Sequence, residues 1–385
     1  MTATVVTTGR TDSSLTPPGR AEDVPGCVDR LLDAAVTARA SDVHLRPTNE
    51  GLDISWRLDG VLSPMATWPK EWMANVVARL KVLAQLLTYR TELPQEGRLQ
   101  TTTPGVEMRL STFPTLHGEK AVVRLFVASG QYRMLEDLSL AEDLSASLSQ
   151  LLHETAGVFV VSGPAGSGKT TTAYACLREM QRASKGARSL VTLEDPIEAE
   201  LPGVAQTQVH RPAEFTYPLG LRSLLRQDPD VIFVGEIRDR ETAATSFQAG
   251  LAGHLVLTTF HAGSAAEALV RLVDLGVEPY LLRAGLRGII CQRLLRQVCE
   301  CHPAPNGCEA CWHTGYRGRH LIAELMQPAA LRTGPQWSAS LADWQAAAIA
   351  AGMITLERRA AHEVSANRTT SEEVFRVLGS SPTTN

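Results

Sequence analysis

Residues 163–170 read Gly-Pro-Ala-Gly-Ser-Gly-Lys-Thr, which matches the G-x4-G-K-T pattern of a phosphate-binding loop. In such a loop the glycines let backbone N–H groups close around a polyphosphate. Lys169 has the position that neutralises β- and γ-phosphate oxygens, and Thr170 has the position whose hydroxyl coordinates Mg²⁺. The pattern therefore predicts that the chain binds ATP or GTP with Mg²⁺. The predicted nucleotide-binding residues of the loop are Gly163, Pro164, Ala165, Gly166, Ser167, Gly168, Lys169, Thr170 and Thr171.

The segments on either side of this loop support the prediction. Residues 158–161 are an apolar run typical of a buried strand, and a stretch with helical periodicity follows the loop. Ala173, Cys176 and Met180 recur on one face of that stretch, which predicts that Cys176 is part of the core. A strand, a loop and a helix in this order place a helix N-terminus, whose dipole favours anions, beside the phosphates.

Acidic residues follow two further apolar runs. Residues 194–198, Glu-Asp-Pro-Ile-Glu, come directly after the run 189–193, and Glu236 follows the run 231–234 after a single glycine. Carboxylates at the ends of neighbouring strands can orient the water ligands of Mg²⁺ and polarise an attacking water. A surface or helix-capping role is the commoner fate of an acid. Two acids on neighbouring strands favour a shared catalytic site instead.

Two histidines and two arginines are further candidates for this site. His254 and His261 bracket the predicted strand 255–259, and only His261 stands at its carboxyl end, where it can report on a γ-phosphate. For His254 a structural, hydrogen-bonded role fits at least as well. Arg222 and Arg226 stand four residues apart in a stretch with helical character, so they are expected to share one face. That face is either a solvated basic surface or a pair of arginines acting at a subunit boundary.

The composition is that of an ordinary globular protein. Its 385 residues, 44% of them hydrophobic and 20% charged, are enough for two domains. A net charge of −4 lacks the basic excess of nucleic-acid-binding proteins, so no nucleic-acid partner is expected. No apolar run approaches the ~20 residues that span a bilayer, and residues 1–20 lack the apolar core of a signal peptide. These features predict a cytoplasmic protein.

The pattern along the chain predicts two domains. Residues 1–25 are a Thr-, Ser-, Gly- and Pro-rich lead-in expected to be disordered, and residues 26–132 read as a compact α+β domain. After a polar linker at 133–144, residues 145–385 begin with the βα alternation of a parallel sheet that binds nucleotide at its carboxyl edge. The part from about Glu267 onward is expected to be mostly helical. Helices are predicted at residues 27–39, 72–87 and 145–153, and strands at 42–45, 52–58, 106–110, 121–127, 158–161, 189–193, 231–234 and 255–259.

Together these motifs resemble those of the type II secretion and type IV pilus assembly ATPases, the GspE/PilB-type motors. The resemblance covers nearly the whole chain after residue 26. In the N-terminal half the similar segments are 40–47 (Ala-Ser-Asp-Val-His-Leu-Arg-Pro), 57–60, 79–84, 94–98 (Pro-Gln-Glu-Gly-Arg), 109–115, 118–120 and Arg124. In the C-terminal half they are the phosphate loop and residues 194–198, 206–208, 225–230, 235–239 and 254–261.

The resemblance implies an α/β fold with a RecA-like P-loop ATPase motor domain and a smaller N-terminal α+β domain of PAS-like type. It implies a homohexameric ring that binds ATP and Mg²⁺. It also implies that Glu194 and Glu236 are the catalytic and Walker B acids and that His261 senses the γ-phosphate. Which glutamate positions the attacking water stays open. The arginines implied to hold the phosphates, from the N-terminal domain and a neighbouring subunit, are Arg57, Arg98, Arg124, Arg222 and Arg226.

Four of the seven cysteines fall within residues 299–311, a density that favours metal binding over disulfides in a cytoplasmic chain. The element at 299–319 is similar to the zinc-binding element of the assembly ATPases, but its first pair is spaced C-x-C instead of C-x2-C. His302 or His313 could therefore replace one thiolate, and four reduced cysteines without metal are the alternative. The Zn²⁺ ligands that the resemblance implies are Cys299, Cys301, Cys308 and Cys311.

The resemblance implies an ATP-hydrolysing motor for pilus or pseudopilus assembly, or type II secretion, located at the inner face of the inner membrane. The implied partners are an inner-membrane platform protein and other secretion or pilus components. A pilus-retraction motor is the first alternative, and the cysteine cluster counts against it. A nucleic-acid translocase is the second, and the net negative charge counts against it. A non-hydrolysing ATP-binding scaffold is the third, and the intact acids count against it.

Overall fold

The structure is a computed structural model that describes residues 15–99, 106–127, 134–302 and 307–380. By its internal contacts the chain divides into two units, Met1–Ala128 with Cys301–Arg317 and Ser129–Glu300 with Gly318–Asn385. Each unit has its own sheet and its own apolar clusters. Within the described ranges, no helix is both long enough and apolar enough to cross a membrane.

The first unit combines one antiparallel sheet with two α-helices in its described part. The elements are α1 (Val24–Thr37), β1 (Asp42–Pro47), β2 (Gly51–Leu58), β3 (Val61–Pro69), α2 (Met73–Leu83), β4 (Gln95–Leu99), β5 (Val106–Thr115) and β6 (Gly118–Val127). The strands follow one another in the order β3-β2-β1-β6-β5-β4. Alternate residues of β2, such as Ile54 and Trp56, are buried and form one apolar cluster with Leu31 of α1 and Leu80 of α2. This alternation is the signature of a strand with one face on a core.

Two strands of this sheet were not among the predicted ones. β3 and β4 lie at the two ends of the strand order, and most of their residues are exposed or only partly buried. An edge strand of this kind lacks the apolar alternation from which strands are recognised. The helix predicted at 72–87 is also shorter in the structure, where α2 ends at Leu83.

Part of the predicted lead-in is built into the first unit. Residues 1–14 lie outside the described ranges, whereas Leu15 is 7% exposed and belongs to the apolar cluster of the unit. The indole nitrogen Nε1 of Trp68 donates a hydrogen bond to the carbonyl oxygen of Leu15 at 2.8 Å. Helix α1 then begins at Val24, slightly before the expected start of the domain. One buried leucine in a polar stretch is too weak a signal to predict this packing.

A buried ion pair ties α2 to β6. Lys81 is completely buried, and its Nζ lies 2.6 Å from Glu119 Oε1 and donates to the Arg90 carbonyl oxygen at 2.8 Å. We expect Glu119→Gln to lower the free energy of unfolding by about 3–5 kcal/mol, because it leaves a buried ammonium group without its counter-charge. Chemical denaturation measures the change, and Glu71→Gln, at an exposed acid, is the control expected to stay within about 0.5 kcal/mol of wild type. Equal denaturation midpoints for Glu119→Gln and the control would contradict the expectation.

The second unit alternates strands and helices. Its first elements are α3 (Glu142–Leu152), β7 (Gly157–Ser162), α4 (Lys169–Ser184), β8 (Leu190–Glu194), β9 (Ala205–Gln208), α5 (Tyr217–Leu224), β10 (Val231–Val234), α6 (Arg240–Leu251) and β11 (Leu255–Phe260). The later ones are α7 (Ala265–Asp274), α8 (Pro279–Gly285), β12 (Leu286–Val298), β13 (Tyr316–Met326), α9 (Pro328–Thr333), α10 (Leu341–Ala350), α11 (Leu356–Ser365) and α12 (Ser371–Leu378).

The strands of this unit form a sheet in the order β13-β12-β7-β11-β10-β8-β9. The pairs from β12 through β9 are parallel. Every residue of β7, β8, β10 and β11 is buried, as expected for central parallel strands covered by helices on both faces. The carboxyl ends of these strands therefore meet at one edge of the sheet, where open α/β sheets bind their ligands. The predicted α/β fold is confirmed.

The prediction that the chain is mostly helical after residue 267 misses two long strands that accompany the helices α7 to α12. β12 and β13 are strands of 13 and 11 residues, and β12 pairs in parallel with β7. Ile289, Ile290 and Cys291 are completely buried in succession, because β12 is covered on both faces. A buried strand of this kind has no polar alternation, and periodicity alone does not separate it from a buried helix.

The cysteine element also departs from the predicted domain boundaries. Residues 301–317 belong by their contacts to the first unit, although the prediction placed 299–319 in the motor domain. The ring of Trp312 packs edge-on against Trp56 of β2, with 5.0 Å between the ring centroids and an interplanar angle of 70°. The contact joins residues more than 250 positions apart, so a reading of local composition does not find it.

Candidate active site

The phosphate loop connects the end of β7 at Ser162 to the start of α4 at Lys169. Its backbone requires glycine at two points. Gly168, with φ 87°, directly precedes the helix, and Gly163 has φ 149°. A Cβ atom on Gly163 would lie 2.5 Å from Ser167 Oγ and 2.7 Å from the Gln292 carbonyl oxygen, so the loop could not close with a larger residue there. The cradle thus follows from the glycine spacing of the motif.

Lys169 directs its ammonium group into this cradle. The side chain is largely buried, and Nζ donates hydrogen bonds of 2.9 Å to the carbonyl oxygens of Gly163 and Pro164. Burial lowers the pKa of Lys169, while the carboxylate of Glu236 acts in the opposite direction. Gln292 of β12 supports the loop from behind, because its Nε2 donates to the Ser167 carbonyl oxygen at 2.6 Å.

The acid at the end of β8 is held rigidly. Glu194 is 2% exposed, and its Oε1 accepts hydrogen bonds from Thr192 Oγ1 at 2.6 Å and Gln206 Nε2 at 3.2 Å. Its other oxygen accepts from Tyr174 Oη of α4 at 2.5 Å. Burial and the bond to Glu194 raise the pKa of Tyr174. Glu194 is therefore fixed between α4 and β9, with both oxygens engaged.

The acid after β10, Glu236, is connected to the phosphate loop through His261. Glu236 Oε1 lies 3.0 Å from His261 Nε2, and His261 Nδ1 lies 3.5 Å from Lys169 Nζ. Burial and the charge of Lys169 lower the pKa of His261. A neutral imidazole beside an ammonium accepts at Nδ1, so its proton is on Nε2 and is donated to Glu236. Arg238 completes the arrangement, with Nη2 2.6 Å from Glu236 Oε2.

The predicted Mg²⁺ ligand Thr170 lies next to an acid of the segment 194–198. Its hydroxyl donates a hydrogen bond of 3.1 Å to Glu198 Oε1. Burial raises the pKa of Glu198. Hydroxyl and carboxylate oxygens are the ligands that Mg²⁺ prefers, so the donors present here suit that ion.

These groups share one cavity of about 770 Å³. Its lining includes Lys169 and Thr170 of the loop, both predicted acids and His261. The volume falls in the range of roughly 300–1,000 Å³ that is usual for small-molecule and cofactor sites. The structure therefore brings together the loop, the two strand-end acids and the histidine that the sequence singled out.

Other predicted residues of the second unit lie elsewhere. Arg222 and Arg226 are exposed and are not among the described residues that line the cavity; Arg222 forms an ion pair with Glu241 of α6. They do not share a helix face, because α5 ends at Leu224 and Arg226 lies beyond it. His254 is a structural residue whose Nδ1 lies 3.1 Å from the Ala249 carbonyl oxygen.

The arginines of the first unit form a row across its sheet. Strand register places Arg57 opposite Asp42, Asp42 opposite Arg124, Arg124 opposite Arg109 and Arg109 opposite Arg98. Asp42 lies 3.3 Å from Arg57 Nε and 3.0 Å from Arg124 Nε. Although burial works against it, the hydrogen bond from Arg124 helps to lower the pKa of Asp42. The predicted residues Arg57, Arg98 and Arg124 are thus aligned on one face of the sheet.

Sequence reasoning did not single out several residues of the site. Arg238 and Gln206 lie inside segments whose resemblance was noted, so their position carried a signal. Tyr174 carried no such signal, because it lies within a helical pattern. Gln292 carried no signal either, because it lies in β12, within the part expected to be helical. Their roles depend on strand order, which periodicity does not reveal.

The cysteine loop at residues 299–311 brings four thiols together. All the ligand sulfurs lie within 4.8 Å of one another, and Cys311 Sγ is 3.8 Å from both Cys301 Sγ and Cys308 Sγ. A tetrahedral zinc site with Zn–S bonds of about 2.3 Å has S–S edges of about 3.8 Å. Burial raises the pKa of Cys311, but hydrogen bonds from the backbone at Cys308 and Gly315 and from the thiols of Cys301 and Cys308 together lower it to about 6. The donor set therefore suits Zn²⁺.

A cavity of this kind at the carboxyl edge of a RecA-like sheet places the chain among the P-loop ATPases, enzymes that hydrolyse ATP. A family model described as "Type II/IV secretion system protein" matches residues 20–376. The chain belongs to this family, and the resemblance noted in its sequence is confirmed.

Individual relatives agree with the family match. The chain is 39% identical over 360 residues to the type II secretion system protein HxcR of Pseudomonas aeruginosa, covering 91% of this chain and 76% of that protein. It is 38% identical over 327 residues to the type IV pilus assembly ATPase PilB of Thermus thermophilus, covering 78% of this chain but 36% of PilB. The solved Legionella pneumophila ATPase DotB shares the fold, with a TM-score of 0.68 at 20% identity, covering 93% of this chain and 96% of DotB.

Proposed function

We propose that the chain is a motor that couples ATP hydrolysis to type II secretion or to assembly of a type IV pilus or pseudopilus. The observation that carries this proposal is the cavity in which the phosphate loop, Glu194, Glu236 and His261 meet. The names of the relatives supply the process. Because the chain spans only about a third of the length of PilB, that process is proposed here and is not taken from the match alone.

The geometry supports distinct roles for the residues of the cavity. Lys169 and the loop N–H groups would hold the β- and γ-phosphates, and Thr170 would hold Mg²⁺, which when bound would neutralise charge on the phosphate oxygens. Glu236 orients the attacking water, because it is linked through His261 to the lysine that contacts the γ-phosphate. Glu194, which is 2% exposed and bonded to Tyr174 and Gln206, maintains the positions of α4 and β9 beside the site, whereas the side chain of Glu236 is 16% exposed.

The proposed assembly is a homohexamer at the inner face of the inner membrane, with an inner-membrane platform protein among its partners. Arg222 and Arg226 support it, since they are exposed and stand outside the cavity of their own chain, where a neighbouring subunit could use them. Arg57, Arg98 and Arg124 are proposed phosphate ligands on the strength of the family resemblance.

Steady-state ATP hydrolysis by the purified chain, with and without double-stranded DNA, tests this function. The proposal predicts Mg²⁺-dependent phosphate release that DNA leaves unchanged. Strong stimulation by DNA would instead support a nucleic-acid translocase, and the absence of hydrolysis in an assembled ring would support an ATP-binding scaffold.

We also propose that the cysteine loop binds one Zn²⁺ through Cys299, Cys301, Cys308 and Cys311. Elemental analysis of the purified chain is expected to find about one zinc per chain, as a four-cysteine structural site requires. Cys308→Ser is expected to lose the metal, whereas Cys27→Ser, at a buried cysteine of α1, is the control that keeps it. Wild-type chain purified without zinc would favour four reduced thiols and contradict the proposal.

A further inference from the structure

A buried glutamate outside the cavity joins two helices of the second unit. Glu324 of β13 is 1% exposed. Its Oε1 accepts a hydrogen bond of 2.7 Å from the backbone N–H of Ala265, and its Oε2 accepts one of 3.2 Å from the backbone N–H of Leu356. Ala265 is the first residue of α7 and Leu356 is the first residue of α11. One carboxylate therefore binds the N-termini of both helices.

Neither helix satisfies these two N–H groups with its own cap. Ser264 caps α7 by accepting from the N–H of Glu267, and Thr355 caps α11 by accepting from the N–H of Arg358. The first N–H of each helix is then left over, and at a buried helix start it needs an acceptor. A negatively charged acceptor also complements the positive end of each helix dipole. Glu324 meets both requirements at once.

Helix α7 begins directly after the segment 261–264, which carries the histidine of the cavity. Two arginines bind the backbone of this segment. Arg271 of α7 donates to the His261 carbonyl oxygen, and Arg293 of β12 donates to the Gly263 carbonyl oxygen at 2.6 Å. The N–H of Gly263 donates to Glu267 Oε2 at 2.6 Å. With the segment fixed in this way, a displacement of the first turn of α7 would change the distances from His261 to Glu236 and Lys169.

Helix α11 is bound to the other carboxylate oxygen of Glu324. Beyond the bond to Leu356, His320 Nε2 of β13 lies 3.1 Å from Glu363 Oε2, and Arg359 Nη1 donates to Asp143 Oδ1 of α3 at 2.8 Å. His320 is itself part of the cavity lining. Helix α11 thus contacts, through His320 of β13, a residue that lines the nucleotide cavity.

We propose that Glu324 is a positioning residue for ATP hydrolysis, which sets His261 through the first turn of α7 and links its position to the start of α11. The inference rests on the proposed ATPase function. When a γ-phosphate attracts His261, the first turn of α7 moves with the histidine. Glu324 then shifts with α7 and changes the first turn of α11. The chain then has a physical route from the phosphate to its C-terminal helices.

Glu324→Gln tests the positioning role. The amide keeps the shape of the side chain but offers one acceptor oxygen to two N–H donors. We expect kcat for ATP to fall about 10-fold or more while KM stays within about twofold, since the phosphate loop is untouched. Wild-type kcat and KM in a variant with a lowered melting temperature would overturn the proposal, because Glu324 would then be only structural.

Glu373→Gln is the matched control. Glu373 is also 1% exposed, and it accepts from the N–H of Arg296 at 3.0 Å and from Arg376 Nε at 2.7 Å, joining α12 to β12. It makes none of the described contacts to the segment 261–264. We expect it to lose thermal stability but to keep kcat. An equal loss of kcat in both variants would overturn the proposal.

Hydrogen exchange on the wild-type chain decides the question even if Glu324→Gln does not fold. With a non-hydrolysable ATP analogue in place of ADP, we expect slower exchange in peptides that cover the first turns of both α7 and α11. A response in α7 without one in α11, or in neither, would overturn the link. An inactive wild-type chain would instead contradict the proposed function, which separates the two failures.

Discussion

Lys169→Ala is expected to weaken binding of ATP with Mg²⁺ by about 100-fold or more. The ammonium group, now bonded to the Gly163 and Pro164 carbonyl oxygens, is the charge available inside the loop for the β- and γ-phosphates. Two charge-assisted hydrogen bonds are together worth about 3 kcal/mol, which corresponds to this factor. Calorimetric titration measures the dissociation constant directly.

The matched control is Lys185→Ala, at an exposed lysine just beyond the other end of α4. This substitution removes the same charge from the chain but does not change the loop. The affinity of the Lys185→Ala variant for ATP is therefore expected to equal that of wild type. If Lys169→Ala bound ATP as tightly as this control, the assignment of the phosphate loop would be wrong.

Glu236→Gln is expected to bind ATP but to hydrolyse it at least about 100-fold more slowly, the size of effect that removal of a general base produces. The carboxylate is the hydrogen-bond acceptor of His261 and is the acid linked through it to Lys169. An amide at this position cannot take a proton from water. Phosphate release gives kcat, and titration with ATP shows that the loop still binds nucleotide.

A comparison with Glu194→Gln separates the two acids. Because Glu194 is 2% exposed and its hydrogen bonds hold Tyr174, Thr192 and Gln206, whereas the side chain of Glu236 is 16% exposed, we expect Glu194→Gln to reduce turnover less than Glu236→Gln does. The reverse order would exchange the roles of the two glutamates. Full activity in both variants would remove the catalytic assignment from this cavity.

The residues around the phosphate loop could be found from sequence because each has a local signal. The loop has a fixed spacing, and Glu194, Glu236 and His261 each follow a short apolar run. Parallel strands end at a common edge, so three such signals converge once the strands are assumed to pair. The observed 3.0 Å between Glu236 and His261 is the physical result of β10 pairing with β11.

Other parts of the molecule depend on pairings that no local pattern contains. β12 was not predicted, because a strand buried on both faces reads as a continuous apolar run and lay in the part expected to be mostly helical; Gln292 was missed with it. The row that joins Arg57, Arg98 and Arg124 arises from the register of an antiparallel sheet. Glu324 gave no signal either, since both of its partners are backbone N–H groups of distant helices.

We propose that a neighbouring subunit completes the ATPase site of this chain. The decisive experiment measures the ATP hydrolysis rate per chain against protein concentration, with the molar mass determined in parallel with and without ATP. We expect the rate per chain to rise as hexamers form, since exposed arginines of one chain then reach the cavity of the next. Full hydrolysis by a strict monomer would rule out a site shared between subunits.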